Sequence, residues 1–153
     1  MKNKRAMLLL TSVLAVSYSI SATAAEHHHH QKNSNQLVLN QGEKWAIDDS
    51  LHIGMSNIKQ AISTNLDDIH HERFTTQQYA DLAVTLDKHL AFLFANCKLT
   101  PLADAQLHSL LANIMQGVDK IKNADNKKQG AIIIIQSLKA YPVYFNDPNW
   151  QEL

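Results

Sequence analysis

Cysteine and glycine are both scarce in this 153-residue chain, and each scarcity excludes a class of function. With Cys97 as the only cysteine, the sequence contains no CxxC redox pair and no CxxCH motif for a covalently attached haem. Its four glycines form no glycine-rich loop of the kind that cradles phosphates. The HExxH motif is also missing, and no serine has the setting of a Ser-His-Asp triad. The sequence therefore predicts that the protein is not an enzyme.

An excess of basic residues is missing as well. The chain has 14 basic and 14 acidic residues, and three of the basic ones fall within the first five positions. From residue 26 onwards there remain 11 basic and 14 acidic side chains, and the basic ones form no stripe. Proteins that bind nucleic acids or anionic membranes usually present such a stripe. Neither kind of partner is therefore expected.

The N-terminal segment is too short for a membrane span but has the order of a secretory signal. Basic residues come first, a mostly apolar run follows from 7 to 20, and the small residues Ala22-Thr23-Ala24 offer a cleavage site. A membrane-spanning helix needs about 20 apolar residues, and no cysteine follows the run for lipid attachment. We predict a signal peptide over 1–25 that is cleaved on export, and a periplasmic protein. A retained anchor is the lesser alternative.

The exported part is long enough for one domain but hardly for two, since about 128 residues remain after cleavage. Residues 26–41 are polar and include four consecutive histidines, so they offer too little apolar surface to fold alone. We predict a flexible histidine-rich tail over 26–41, with residues 37–39 docking on the domain. A single helical domain is predicted over 42–153.

Apolar residues recur at helical spacing in four segments, which predicts four amphipathic helices. The first apolar stripe runs from Leu51 to Ile69. The predicted helices begin near Asp48 or Asp49, after Thr75 or Thr76, after the cap Thr100 with Pro101 at the first helical position, and near Asn126. Because the connections are short, neighbouring helices should be antiparallel. The predicted fold is all-α, an antiparallel up-down four-helix bundle.

The fourth helix carries the weakest signal, because the segment from Ala131 to Ile135 is rich in β-branched residues and favours a strand by propensity. A lone strand would leave its backbone groups unpaired, and three amphipathic helices need a fourth apolar face to close a core. We therefore predict a helix that ends at Tyr141, before Pro142. The aromatic segment Val143–Trp150 should fold back as a lid over one end of the bundle.

The histidine run His27–His30 is the first candidate metal site. Cleavage after Ala24 or after Ala25 leaves a histidine at the third position of the new N-terminus. A free amine, two backbone amide nitrogens and a third-position imidazole form a square-planar set that suits Cu(II) or Ni(II). Histidine-rich tracts are also a compositional signal for metal binding. The alternative is a polar spacer.

A second candidate site lies inside the predicted bundle. Counting residues from the predicted turns puts Met55, His89 and His108 at about the same height, with His52 at the edge of that layer. Thioether and imidazole ligands suit copper, or the iron of a non-covalently bound haem b. The alternative is that Met55 fills the core and that both histidines are half-exposed boundary residues.

Cys97 lies about six residues, or roughly 9 Å, from the level of His108, at the end of the predicted bundle near Trp45. It is a small buried hydrophobe, a metal ligand, a redox-sensitive thiol or half of an intermolecular bridge. His70 and His71 lie in a predicted loop beside acidic residues, where a surface ion and a solvated turn are the alternatives. The candidate metal ligands are thus His27, His28, His29, His30, Met55, His89, Cys97 and His108.

Three motifs stand out in the predicted domain. They are Gly42-Glu43-Lys44-Trp45 followed by Asp49, Leu51, Gly54, Met55 and Ile58; Asn96-Cys97-Lys98-Leu99-Thr100-Pro101 followed by Ala103, Asp104, Leu107 and His108; and Tyr144-Phe145 with Pro148-Asn149-Trp150. In these motifs the chain resembles a group of small exported bacterial helical proteins associated with metal-resistance and efflux systems. The position before Pro148, a histidine in those proteins, is Asp147 here.

The resemblance implies a periplasmic helical protein close to metal handling, and it favours Met55, Cys97 and His108 as positions to test. The leading hypothesis is a metal-binding accessory or chaperone-like protein, copper first, that works with an envelope efflux or metal-handling protein. The second is an electron carrier that holds haem b between Met55 and a histidine. The third is an envelope interaction module without a prosthetic group, with the aromatic C-terminal residues as its contact surface.

Overall fold

The computed structural model describes residues 36–153. The predicted signal peptide, the histidine run and most of the predicted polar tail lie outside the described residues. Within the described part the chain forms five helices and two short strands. These are β1 (Trp45–Ala46), α1 (Asp49–Ser63), α2 (Leu66–His70), α3 (Thr76–Asn96), α4 (Pro101–Asn123), α5 (Lys127–Tyr144) and β2 (Phe145–Asn146). The structure is mostly helical, which confirms the predicted all-α class.

Polar side chains define where the long helices begin. Asp48 Oδ1 accepts the Leu51 N–H at 2.7 Å and caps α1, and Asn126 caps α5 in the same way. Thr75 forms a capping box with Gln78 at the start of α3. Thr100 occupies the N-cap position of α4 with extended backbone, but its side chain accepts no capping hydrogen bond. The proline that follows it fits the first turn because its missing N–H would have no partner there.

The predicted first helix is interrupted, and this part of the prediction is wrong. Helix α1 ends at Ser63, and the last residues of its predicted stripe lie in the separate helix α2. At the break, Thr64 Oγ1 donates to the Gln60 carbonyl at 2.9 Å and Asn65 Nδ2 donates to the Ala61 carbonyl at 2.8 Å. Such side-chain bonds to backbone carbonyls compete with continuation of a helix. Ile69 is nevertheless buried, so the apolar stripe continues across the break.

The apolar stripes meet in one core. Helix α1 packs on α3 and α5, and α4 packs on α3 and α5. Leu51, Met55, Ile58 and Ile62 of α1 are completely buried in this core. Burying a side chain of this size contributes about 1.5–3 kcal/mol relative to leaving it in water. The helical periodicity of the sequence therefore marks the faces that are buried.

Helix α5 includes the β-branched segment from Ala131 to Ile135, as predicted, and Ile134 is completely buried. The helix does not end at Tyr141, however, but continues through Pro142 to Tyr144. A proline close to the end of a helix costs fewer hydrogen bonds than one in its middle. The Phe145 N–H still donates to the Tyr141 carbonyl and closes the final turn.

The two strands bring the ends of the domain together. They pair in parallel, with Trp45 opposite Phe145 and Ala46 opposite Asn146. Strands of two residues leave no periodicity in a sequence, and the pairing was not predicted. From β1, Trp45 Nε1 donates to the Val38 carbonyl at 2.7 Å, and the Val38 N–H donates to Gln106 Oε1 at 2.9 Å. Leu37 also packs against the core, but the side chains of Val38 and Leu39 are exposed, so the predicted docking of residues 37–39 is confirmed only for Leu37 and the Val38 backbone.

The C-terminal aromatic segment packs beside this strand pair. Phe145 is completely buried and its ring stacks on that of Tyr141, with 5.3 Å between the centroids. Trp150 meets the Tyr141 ring edge to face at 4.7 Å, and Lys59 Nζ lies 4.9 Å from the centre of the Trp150 ring. The segment after α5 is thus fixed against α1 and α5. Across residues 36–153 no helix combines the length and the apolarity that crossing a membrane requires.

Candidate functional site

The structure does not gather the predicted interior ligands around one point. Met55 is completely buried in the core, whereas the His108 side chain is 56% exposed. His89 is half-buried and lines a groove between α1 and α3. Among the described residues, no three or more histidine, cysteine, aspartate or glutamate side chains are grouped to hold a metal ion. Residues at the same predicted height along the bundle therefore do not have side chains on the same face.

His89 belongs to a polar groove with a volume of about 420 Å³. Burial, and to a lesser extent the neighbouring charge of Lys88, lower the pKa of the His89 imidazole. Both effects favour the neutral ring, which is the form that binds metals. On the α1 side the groove is lined by amide and hydroxyl side chains such as Asn57, Gln60 and Thr64 rather than by further imidazoles or carboxylates. On the α3 side Asp81 adds one carboxylate, so the groove offers one imidazole and one carboxylate as potential metal ligands.

His108 lies on the outer surface where α3 and α4 meet. Its Nδ1 is 2.9 Å from the Asp104 carbonyl and 3.3 Å from Asp104 Oδ2, one turn earlier in α4. Its ring lies 5.7 Å from that of Phe94 on α3. The first contact lies within α4 and the second reaches across to α3, and the His108 side chain remains exposed, whereas Met55 is completely buried.

Cys97 follows α3 as its C-cap and lies at the end of the domain where α1 begins. The next residue, Lys98, donates its N–H to Asp48 Oδ2 at 2.5 Å. Burial first, and then the charges of Asp48 and Asp104, raise the pKa of the Cys97 thiol to about 11. The thiol is consequently neutral at physiological pH, because burial and the charges of Asp48 and Asp104 disfavour the thiolate that would act as a nucleophile.

The most ordered polar arrangement at this end of the domain is centred on Asp147. Its side chain is only 1% exposed. His52 Nδ1 lies 3.0 Å from Oδ1 and 2.9 Å from Oδ2, and the Tyr141 hydroxyl donates to Oδ2 at 3.1 Å. The Asn149 N–H donates to Oδ1 at 3.2 Å. Three donors from two helices and the C-terminal segment therefore compensate one buried carboxylate, as a buried charge requires.

These contacts determine how the two ring systems are protonated. Because a carboxylate can only accept, His52 donates from Nδ1, which leaves Nε2 as the acceptor of the neutral ring. Burial, followed by the charge of Asp147, raises the pKa of Tyr141 far above its usual range, so the phenol remains a donor. The spacing of residues predicted His52 only as the edge of another layer. Asp147 was not predicted from the sequence as part of a site.

His70 and His71, predicted to lie in a loop, lie instead at the end of α2, where His70 is the last residue and His71 the C-cap. His71 Nδ1 is 2.9 Å from the Asp67 carbonyl, and the His70 and His71 rings meet edge to face at 4.8 Å. Arg73 pairs with both Asp67 and Asp68, and these carboxylates raise the pKa of its guanidinium. Both carboxylates are thus engaged by one guanidinium, which favours a solvated helix end over a surface ion.

His27, His28, His29 and His30 lie outside the described residues, so the candidate site of the histidine run rests on its sequence. No protein-family model matches the chain, and neither a curated protein nor a solved structure is similar to it at a significant level.

Proposed function

We propose that the protein is a periplasmic metal-binding accessory protein, copper first, and that the histidine run His27–His30 supplies its principal ligands. The observation that carries this proposal is the run itself, placed directly after the predicted cleavage site. Four adjacent imidazoles can reach one ion without help from the fold. The other candidate ligands in the described part, Met55, His89, Cys97 and His108, lie on different faces or in the core.

The chemistry of the new N-terminus favours Cu(II). After signal cleavage the amine, two backbone nitrogens and the third-position imidazole form one square-planar set, and the next histidines add neutral imidazoles above their pKa. An ion held in this way remains accessible to ligand exchange. Such a site suits a chaperone-like protein that passes metal to an envelope efflux or metal-handling partner better than it suits permanent storage.

We infer that the domain behind this tail is an antiparallel four-helix bundle that serves as its carrier. The short connections between the long helices and the contacts of α1 with α3 and α5, and of α4 with the same two helices, support this arrangement. Haem b finds less support. Next to Met55, a Cβ added at Gly54 would overlap the side chain of Leu93, so α1 and α3 pack closely at this level. A porphyrin at this level would require α1 and α3 to separate.

An interaction module remains a second candidate, and the outer face of α3 and α4 favours it. Phe94 and Met115 are about half exposed and line a groove of about 360 Å³ together with Leu90 and Val118. Exposed apolar groups that adjoin one another mark interaction sites more often than isolated ones do. The aromatic C-terminal residues are a poorer candidate for this surface because Tyr141 and Phe145 are buried.

Copper binding by the exported protein tests the proposal. The chain should be expressed with its own signal, recovered from the periplasm and sequenced from its N-terminus. Titration with Cu(II) is expected to give a visible d–d band at one equivalent. Replacement of His27–His30 by asparagine, which keeps the tail polar, should abolish that band and leave the circular dichroism of the domain unchanged. Retention of the chain in the cytoplasm, or an undiminished band in the variant, would overturn the proposal.

A further inference from the structure

His52 differs from the other described histidines in the group that orients it. In all three of His52, His71 and His108, Nδ1 lies close to an aspartate. For His71 and His108 this aspartate is four residues earlier in the same stretch of chain, and its side chain is 76% and 44% exposed, respectively. Asp147 is 1% exposed and lies 95 residues away in the chain. The His52 ring is therefore held by the tertiary fold, and water competes less for the carboxylate that holds it.

The second ring nitrogen of His52 is available to a ligand. The His52 side chain is 32% exposed, and within residues 36–153 Nε2 has no hydrogen-bond partner. In that part of the chain, every side-chain nitrogen or oxygen of a residue that is not exposed either has a hydrogen-bond partner or contacts solvent. Nε2 therefore reaches solvent. A fixed imidazole thus presents a lone pair outward while Nδ1 is bound to a carboxylate.

This is the arrangement in which proteins present histidine to metals. A ligating histidine almost always donates its other N–H to a carboxylate or a carbonyl, which fixes the tautomer and increases the basicity of the ligating nitrogen. We propose that His52 Nε2 is a second metal-binding site on the helical domain, separate from the histidine run, for a borderline divalent ion such as Cu(II) or Zn(II). Asp147 and Tyr141 act as positioning residues, and water completes the coordination.

Asp147 orients the His52 ring, and Tyr141 and Asn149 in turn orient Asp147. Its negative charge raises the electron density on the imidazole, and its two oxygens at similar distances from Nδ1 keep the ring from rotating. The Tyr141 hydroxyl and the Asn149 N–H hold the carboxylate itself. Removing a carboxylate that orients a ligating histidine typically lowers metal affinity about 10- to 100-fold.

The test uses the full exported chain with His27–His30 replaced by asparagine, so that failure of this site and failure of the histidine run are separate outcomes. Substoichiometric Cu(II) is added, and paramagnetic broadening of the backbone amide signals is measured by NMR. Broadening is expected first around His52 and Asp147, before the matched controls His71 and His108. His52→Asn should remove it there, and Asp147→Asn should lower the Cu(II) affinity at least about tenfold.

Circular dichroism shows whether each variant is folded. If Asp147→Asn does not fold, His52→Asn still decides the matter, because Asp147 then keeps its hydrogen bonds to the Tyr141 hydroxyl and the Asn149 N–H. The proposal is overturned if broadening begins at His71 or His108, if it is uniform over all histidines, or if it is unaffected by His52→Asn.

Discussion

At the scale of single residues, the same neighbours that bury Cys97 also keep it unreactive. Desolvation and the carboxylates of Asp48 and Asp104 disfavour the thiolate, and the pKa of the thiol rises to about 11. A metal ion would have to displace a tightly held proton in order to bind here at neutral pH. Of the four roles open to Cys97, the structure therefore favours a small, partly buried apolar side chain.

This environment predicts the pH dependence of alkylation. The rate of Cys97 modification by iodoacetamide in the folded protein should rise about tenfold per pH unit from pH 7 to beyond pH 9, because only the thiolate reacts. A thiol with the ordinary pKa of about 8.5 would approach a plateau near pH 9. The same reagent on the urea-unfolded chain is the control. A plateau below pH 9 in the folded protein would contradict the assignment.

The sign of the accompanying stability change follows from the same shift. The folded state prefers the neutral thiol, so this stabilising preference is fully present below the unfolded pKa of about 8.5. It is lost as the pH rises through the folded pKa of about 11. The free energy of unfolding should accordingly decline in that alkaline window, and Cys97→Ala should reduce this part of the decline.

At the scale of elements, the close crossing of α4 and α5 depends on two glycines. A Cβ at Gly130 would meet the carbonyl oxygen of Gly117 and the backbone of Ile121, neither of which can move aside without moving a helix. In an open helix, glycine to alanine would stabilise by up to about 1 kcal/mol. Here we expect Gly130→Ala to lower the free energy of unfolding by roughly 1–3 kcal/mol.

Gly54→Ala is the matched control for this prediction. Its Cβ would also lie too close to a neighbour, but that neighbour is the flexible side chain of Leu93. Rotation of Leu93 can relieve part of the conflict, so the loss should be smaller than for Gly130→Ala. Urea unfolding monitored by circular dichroism measures both variants. Equal stabilities, or a more stable Gly130→Ala, would show that the helices separate easily.

The elements also show which features a sequence can predict. The starts of α1, α3 and α4 were predictable because Asp48, Thr75 and Pro101 carry capping chemistry beside apolar periodicity. The break after Ser63 was not, since Thr64 and Asn65 end a helix by bonding carbonyls that periodicity does not record. The continuation of α5 through Pro142 was not predicted either. The hydrogen bond from the Phe145 N–H to the Tyr141 carbonyl closes the final turn, and apolar periodicity does not record such a bond.

At the scale of the whole molecule, the candidate site was the least predictable part. Its central contact joins His52 to Asp147 across 95 residues, and it depends on how the chain returns after α5. Counting residues along straight helices put Met55, His89 and His108 at one height, but it did not determine which way each side chain points. The histidine run needed no such geometry, because its ligands are adjacent in sequence.

The return of the C-terminal segment to α1 predicts its contribution to stability. A chain that ends after Asn146 loses the Trp150–Tyr141 packing, the cation–π contact of Lys59 and the carboxylate of Asp147, which compensates His52 and Tyr141. It keeps the strand pair β1–β2. Loss of a partly buried tryptophan and of charged hydrogen bonds costs about 2–4 kcal/mol, which corresponds to a fall in Tm on the order of 10 °C for a domain of this size.

A chain that ends after Gln151 is the matched control, because it keeps all of these contacts and removes only the exposed residues Glu152 and Leu153. Its Tm should lie within about 2 °C of the intact chain, since changes at such surface positions usually remain within about 0.5 kcal/mol. Thermal unfolding monitored by circular dichroism distinguishes the two truncations. If both truncated chains have the Tm of the intact chain, the segment from Asp147 to Gln151 does not stabilise the domain. The carboxylate that orients His52 is then not fixed by the fold.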